Sequence, residues 1–228
     1  MMKNILAATA LSFFALTAAH ATPLQGAFYD VGGFDSCCSG LFTGTPLITS
    51  ATLAETFLQG NPTADATFTS TGISYPQPIS SNTITTVGGF LGTDASSLGN
   101  FSMGTTANTS FLGTILTLSG TISLLAGNNV FDVFSDDGFI LYIDGIEIGR
   151  WEGLRGPSSA GGINFVSALG GHAQFDLVYF EGSMTQAALE VTLNNRVLSA
   201  VPLPAGGLLL IGALGGLAAL RRRKAAAV

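Results

Sequence analysis

Basic residues are scarce between the two ends of this chain. Lysine and arginine number 8 among 228 residues, but only Arg150, Arg155 and Arg196 lie between residues 22 and 200. All 14 acidic residues fall in that stretch, which therefore carries a net charge of −11. Binding to nucleic acid or to anionic lipid depends on lysine and arginine side chains. The sequence therefore predicts no nucleic-acid partner, and an acidic surface that suits solubility and divalent cations.

Cysteine and histidine are also rare, with two of each. Cys37 and Cys38 are adjacent, so a bond between them closes no long loop; they could also pair with another chain or stay as thiols. A redox site more usually has C-x-x-C spacing. His172 is the sole histidine between residues 22 and 200, which gives little support to a Ser-His-Asp triad. These residue types nominate no catalytic site.

The N-terminal 21 residues have the pattern of a secretory signal peptide. Lys3 supplies a positive start and residues 5–18 an apolar run. Ala19 and Ala21 then form an A-x-A cleavage site. A first transmembrane helix is the weaker interpretation, because the apolar run is short and ends in Thr22 and Pro23. We therefore expect export and a mature chain that begins near residue 22.

The C-terminal segment, residues 201–224, has three parts in a fixed order. A proline-containing motif is followed by an apolar run at 205–220 and by a basic cluster at 221–224. The motif consists of Val201, Pro202, Leu203, Pro204 and Ala205. Sixteen apolar residues are close to the length of a membrane-spanning helix, and a basic end favours cytoplasmic retention. Read by itself, the segment predicts a C-terminal transmembrane anchor.

The same three parts resemble the VPLPA form of the bacterial PEP-CTERM sorting signal. That resemblance implies recognition by a membrane-embedded exosortase and cleavage near the proline motif. The helix would then hold the chain in the inner membrane only transiently. The implied destination is the cell surface or the exopolysaccharide matrix.

Strand patterns dominate the region between the two terminal segments. Apolar residues alternate along 115–124, and β-rich runs occupy 130–134, 139–143, 173–179 and 188–193. Glycine, asparagine and aspartate separate these runs, and Asp144-Gly145 predicts a type I′ hairpin turn. Only 51–58 is a helix candidate, and 45–108 has no clear pattern. The sequence predicts an all-β fold, one antiparallel sandwich or barrel over residues 22–200.

Asp136 and Asp137 form the most distinctive chemical feature of that region. Two adjacent carboxylates on one turn repel each other unless a cation or hydrogen-bond donors stabilise them. A hard cation such as calcium, which takes six to eight oxygen ligands, is a natural partner. Alternatively, Asp136 caps backbone N–H groups and Asp137 faces water. The residues alone leave both alternatives open.

Around this turn the chain resembles the PA14 family, a β-sandwich module that includes the fibro-slime type. The matching segments are Ser-Asp-Asp-Gly at 135–138 with Tyr-Ile-Asp-Gly at 142–145, then 149–152 and 171–181. In lectin members, such an aspartate pair, sometimes joined by a cis peptide, binds a calcium ion that coordinates sugar hydroxyls. The resemblance therefore implies that Asp136 and Asp137 are calcium ligands. A second loop supplies the complementary asparagine in those lectins, and Asn164 is the candidate here.

Trp151 is the one tryptophan of the chain and follows the Asp144-Gly145 hairpin. Its ring could stack on a sugar, or it could pack in the core or at a sheet edge. The neighbouring Arg150 and Arg155 could bind an acidic polysaccharide or neutralise nearby carboxylates. Trp151 and Arg150 are the ligand-binding candidates.

Three functions are compatible with these observations. The first is a non-catalytic carbohydrate-binding or adhesion module with calcium dependence, and the second is a structural matrix protein without a specific ligand. The third is a glycosidase, which needs two carboxylates roughly 5–9 Å apart across a cleft. No spacing in the sequence nominates such a pair, so we expect the protein not to be an enzyme.

Overall fold

The strand patterns can be compared with a computed structural model of the chain. It describes residues 23–32, 34–37, 41–44, 47–76, 86–102, 104–182 and 186–199, with 34–37 and 41–44 described in their backbone only. All described residues belong to one compact unit, Thr22–Val201.

Strands make up most of the described residues. In chain order they are β1 (Leu24–Asp30), β2 (Phe34–Cys37), β3 (Leu41–Gly44), β4 (Ala66–Ser70), β5 (Ser74–Tyr75), β6 (Thr114–Leu124), β7 (Gly127–Asp136), β8 (Gly138–Ile143), β9 (Ile146–Trp151), β10 (Ser158–Ser159), β11 (Ile163–Ser167), β12 (Gly171–Glu181), β13 (Ala188–Leu193) and β14 (Arg196–Val197). Two α-helices, α1 (Ala51–Gly60) and α2 (Val87–Leu91), and a 3₁₀ helix (Gly92–Ser97) complete the described elements.

The strands form two larger sheets in which all pairings are antiparallel. The first sheet has the order β4-β1-β6-β12-β8-β9. The second has the order β10-β7-β13-β14, with β11 also paired to β7 and β5 to β13. At the centre of the first sheet, β6 and β12 pair from Gly171 opposite Leu124 to Glu181 opposite Thr114. The predicted antiparallel β fold is confirmed.

Apolar side chains from both sheets share one core. Phe28, Leu118 and Leu177 of the first sheet pack in the same buried cluster as Val133 and Leu189 of the second. Alternate residues of a strand point to opposite faces of the sheet, so the apolar residues at every second position all lie on the inner face. The two sheets therefore face each other as a sandwich.

The outer face of the first sheet is also covered. Ala51 and Ala54 of α1 pack in a second buried cluster with Ile140 and Phe180. The Ser50 hydroxyl accepts a hydrogen bond from the backbone N–H of Leu53, 3.1 Å away, and so caps the helix start. The predicted helix at 51–58 is confirmed and continues to Gly60.

The sequence did not predict α2 or the 3₁₀ helix that follows it. Both are short, and α2 contains two glycines, so no apolar period was visible. Thr86 caps α2 by accepting a bond from the N–H of Gly89, and Phe90 and Leu91 are buried. By contrast, the predicted turn at Asp144-Gly145 is confirmed, since both residues have positive φ, as a type I′ turn requires.

The predicted terminal segments lie outside the described residues. These are the signal peptide with its cleavage site at Ala19 and Ala21, the sorting motif at 201–205 and the apolar run at 205–220. They stay predictions. Among the residues that the structure describes, no helix is long and apolar enough to cross a membrane.

Candidate functional site

Three carboxylates meet at one end of the sandwich. β7 ends at Asp136, Asp137 follows in the link to β8, and β12 of the opposite sheet ends at Glu181. Their exposed fractions are 3, 1 and 0%, and one carboxylate oxygen from each lies within 4.8 Å of the others. The peptide bond between the two aspartates is cis. We call Asp136, Asp137 and Glu181 the acidic cluster.

Backbone donors hold Asp137 in place. Its Oδ1 accepts from the N–H of Arg155 and its Oδ2 from the N–H of Gly182, both at 2.9 Å. Gly182 has no room for a side chain, because a Cβ there would lie 2.0 Å from the carbonyl oxygen of Ile48. The N–H group that binds Oδ2 of Asp137 therefore lies where the backbone at Gly182 passes close to the backbone at Ile48.

Tyr179 connects the other two members of the cluster. Its hydroxyl bonds the carbonyl oxygen of Asp136 and, at 3.0 Å, Oε2 of Glu181. Its ring is stacked with Phe90 and Phe111, at centroid distances of 5.9 and 6.3 Å. Burial raises the pKa of Tyr179 well above its usual value, so the hydroxyl keeps its proton.

Asp136 is the member of the acidic cluster whose charged form is disfavoured. Burial, together with repulsion from Asp137, raises the pKa of Asp136 to about 7, while Arg155 opposes the shift. Near neutral pH the cluster therefore either retains a proton or gains from a bound cation.

Arg155 lies beside the cluster without an ion pair to any carboxylate of the described residues. Its Nη2 donates to Oγ of Ser135 at 2.7 Å, and its Nε to the carbonyl oxygen of Asp137 at 3.4 Å. The guanidinium carbon is 4.5 Å from the ring centre of Trp151 and 5.6 Å from that of Phe139. Arg155 thus links the acidic cluster to the tryptophan.

An apolar rim surrounds this end of the molecule. Trp151 is 43% exposed, and Leu47 and Leu154 are exposed to a similar extent. Cδ2 of Leu154 lies 3.0 Å from the position that a Cβ on Gly182 would occupy. The backbone N–H of Gly182 in turn donates to Oδ2 of Asp137. Arg155 links the exposed tryptophan to the acidic cluster, because its guanidinium lies over the Trp151 ring and its N–H bonds Asp137.

The structure separates Asn164 from the two aspartates. Asn164 lies on β11 opposite Val130, six residues before Asp136 on β7. At about 3.3 Å per residue that is about 20 Å away along the strand. Its side chain bonds Asn128 instead. Asn164 therefore lies apart from this cluster, and Glu181 is the third side chain that the fold brings to the two aspartates.

Arg150 also lies apart from Trp151, because adjacent residues of β9 point to opposite faces of the sheet. It pairs with Glu55, Glu147 and Glu152 at 2.8–3.1 Å. Of the two alternatives for this arginine, the structure favours neutralising nearby carboxylates. The two ligand-binding candidates do not share one site.

Glu181 was not among the predicted metal ligands, although the sequence carried a signal for it. Along β12 the buried residues alternate through Phe175, Leu177 and Tyr179, and Glu181 continues the same register. A carboxylate on the inward-facing side of an apolar strand must be paired or bound when buried. The alternation of apolar residues along this segment therefore nominates Glu181 as an inward-facing carboxylate from the sequence.

Comparisons with known proteins point to one fold. No protein-family model matches the chain, and no curated protein matches it in sequence. A solved structure described as the PA14 sugar-binding domain from an RTX adhesin is 24% identical, with a TM-score of 0.57, over 79% of this chain and 95% of that one. The PA14 domain of the MpAFP antifreeze protein is 21% identical, with a TM-score of 0.59, over 78% and 86%. The described part of the chain thus has the fold of a PA14 domain.

Proposed function

We propose that this protein is an exported, non-catalytic carbohydrate-binding or adhesion module. It acts at the cell surface or in the exopolysaccharide matrix, and its partner is a glycan. The observation that carries the proposal is the buried acidic cluster directly beside the half-exposed Trp151. The fold likeness to a domain described as sugar-binding adds support.

The acidic cluster suits calcium. Asp136, Asp137 and Glu181 supply hard oxygen donors close enough to share one ion. Burial and repulsion from Asp137 raise the pKa of Asp136, and a bound cation would offset both effects. When bound, calcium would supply open coordination positions for sugar hydroxyls.

The chain's own residues orient both parts of the site. The N–H groups of Arg155 and Gly182 fix the carboxylate of Asp137, and Tyr179 fixes Glu181. The indole of Trp151 offers an apolar surface of the kind that packs on the C–H face of a sugar ring. Leu154 extends that surface toward Gly182.

Export and sorting belong to the same proposal. The signal peptide at 1–21 would direct secretion, and the PEP-CTERM-like segment at 201–224 would present the chain to exosortase in the inner membrane. The transmembrane helix at about 205–220 would be a transient anchor. The net charge of −11 over residues 22–200 suits a protein that stays in solution outside the cell.

A glycosidase would arrange its carboxylates differently. Its two acids stand across an open cleft about 5 Å or more apart, with the substrate between them. Here the three carboxylates are buried together within 4.8 Å. We therefore propose binding without hydrolysis.

Glycan binding by the full-length chain tests the proposal. We expect binding on a glycan array that is lost on adding a chelator and weakened at least about tenfold by Trp151→Ala. Leu169→Ala is the matched control, because Leu169 is 92% exposed and lies near the start of β12, far from Glu181. It should bind like wild type.

Two results would separate the alternatives. Binding of no glycan with or without calcium would leave the structural matrix protein as the better account. Release of reducing sugar from a bound glycan would indicate a glycosidase.

A further inference from the structure

Arg155 contacts both halves of the candidate site. Its backbone N–H bonds Oδ1 of Asp137 at 2.9 Å, and its guanidinium stacks on Trp151 at 4.5 Å. A single residue therefore contacts both a buried carboxylate, through its backbone, and the exposed ring, through its side chain.

The guanidinium is tied to the Asp137 peptide by two routes. Nε donates directly to the carbonyl oxygen of Asp137 at 3.4 Å. Nη2 donates to Oγ of Ser135 at 2.7 Å, and that hydroxyl donates in turn to the same carbonyl oxygen at 2.7 Å. Any shift of this peptide is therefore transmitted to the guanidinium.

Neutral contacts and charge both hold the guanidinium. Nη2 also donates to the carbonyl oxygen of Val133 at 3.4 Å. Within the described residues Arg155 has no carboxylate ion pair, unlike Arg150, but the charges of Asp132, Asp136 and Asp137 raise its pKa against the effect of burial. Coulombic attraction to the acidic cluster is therefore one of the forces that hold the guanidinium in place.

We propose that Arg155 is a positioning residue that couples the charge of the acidic cluster to the orientation of Trp151. Removing a negative charge, or binding a cation, weakens the attraction that holds the guanidinium near the Asp137 peptide. Trp151 then loses its stacking partner and becomes more accessible. The inference rests on the proposed function, since the orientation of Trp151 matters to a glycan only where one binds.

Tryptophan fluorescence reads this coupling directly, because Trp151 is the chain's one tryptophan. The experiment is a double-mutant cycle of Asp136→Asn and Arg155→Gln in the full-length chain, in metal-free buffer, with acrylamide quenching as the readout. We expect each single change to raise the quenching constant about twofold or more. The double variant should match Arg155→Gln, because without the guanidinium the cluster has no route to the ring.

Control variants remove the same charges elsewhere. Asp176→Asn on β12 and Arg196→Gln on β14 should leave quenching unchanged, and Trp151→Phe should abolish the signal. Should Asp136→Asn fail to fold, Glu181→Gln removes a charge from the same cluster and takes its place in the cycle.

The cycle separates this inference from the proposed function. Additive effects of the two changes, or no effect of neutralising the cluster, would overturn the coupling even in a chain that binds glycan. Non-additive effects support it even where the array shows no glycan, in which case only the proposed function fails.

Discussion

Two groups of three carboxylates and one arginine lie on this domain, and they are connected in opposite ways. Arg150 pairs with all three of its acids, Glu55, Glu147 and Glu152, on the outer face of the first sheet, where the group is partly exposed. Arg155 pairs with none of Asp136, Asp137 and Glu181, which are buried. The same residue types thus form a network of ion pairs in one place, and in the other a buried acidic cluster to which the neighbouring arginine makes no ion pair among the described residues.

The two groups differ in how their carboxylates are stabilised. In the Arg150 group, hydrogen bonds from the arginine lower the pKa of Glu147, so its charged form is favoured. Arg150 also connects β9 to Glu55 of α1 and so fastens the helix to the sheet. In the acidic cluster, burial and repulsion from Asp137 raise the pKa of Asp136, so its charged form is disfavoured.

The two groups should differ most in the stability that is lost when one carboxylate is replaced by alanine. Asp137→Ala leaves the N–H groups of Arg155 and Gly182 without their acceptor, and each such group costs about 1–3 kcal/mol. Relief of carboxylate repulsion offsets a part, so we expect a loss of about 2–4 kcal/mol in the free energy of unfolding by urea. Glu147→Ala, in the exposed group, should cost under about 1 kcal/mol. Equal losses would remove the distinction.

Asp136 and Glu147 should contribute to the pH dependence of stability with opposite signs, because the pKa of Asp136 is raised and that of Glu147 is lowered. Its pKa is raised from 3.8 to about 7, so between these values the folded state holds a proton that the unfolded state releases. The free energy of unfolding in chelator should therefore fall as pH rises from 3.8 to about 7. Asp137, Glu181, Arg155 and Tyr179 surround this group.

Urea unfolding of Asp136→Asn across that range is the check. The variant should lose the fall, because an amide does not titrate, whereas Asp176→Asn should keep it. A wild type whose stability stays constant over the range would contradict the raised pKa.

Salt should affect the Arg150 group selectively. Arg150→Gln leaves three partly exposed carboxylates without their counter-charge, and we expect a loss of about 1 kcal/mol at low ionic strength. Screening at 1 M NaCl should shrink that loss, since the Debye length falls to about 3 Å. Thermal melts at both salt concentrations measure it. A loss that does not change with salt would indicate packing rather than charge.

The smallest effect is expected at Asn164. It is exposed and bonds Asn128, about 20 Å from the acidic cluster along the strand. Asn164→Ala should change stability by no more than about 0.5 kcal/mol and leave calcium affinity unchanged. Weaker calcium binding in this variant would show that Asn164 contributes to the site and would contradict its separation from the acidic cluster.

Much of the fold could be predicted because strand periodicity is local. The alternation along β6, the β-rich run within β12 and the Asp144-Gly145 turn were all visible in the sequence. The short helix α2 was not, since five residues with two glycines show no period. Thr86 caps this helix, but a lone threonine before a glycine-rich segment does not predict a helix from the sequence.

The site was harder to predict because it joins residues from different sheets. Asp136 and Asp137 stand out locally as adjacent acids on a turn. Which segment approaches that turn depends on pairing across the sandwich, and β11 proves to pair near the start of β7 rather than at its end. The opposite directions of Arg150 and Trp151, by contrast, follow from strand alternation alone.

Calorimetric titration of calcium tests the central claim most directly: the acidic cluster is a cation site and the Arg150 group is not. At pH 7.5 we predict binding of one calcium ion by the full-length wild-type chain, lost in Asp136→Asn and unchanged in Glu147→Gln. No binding heat in the wild type, or equal loss of binding in the two variants, would contradict it.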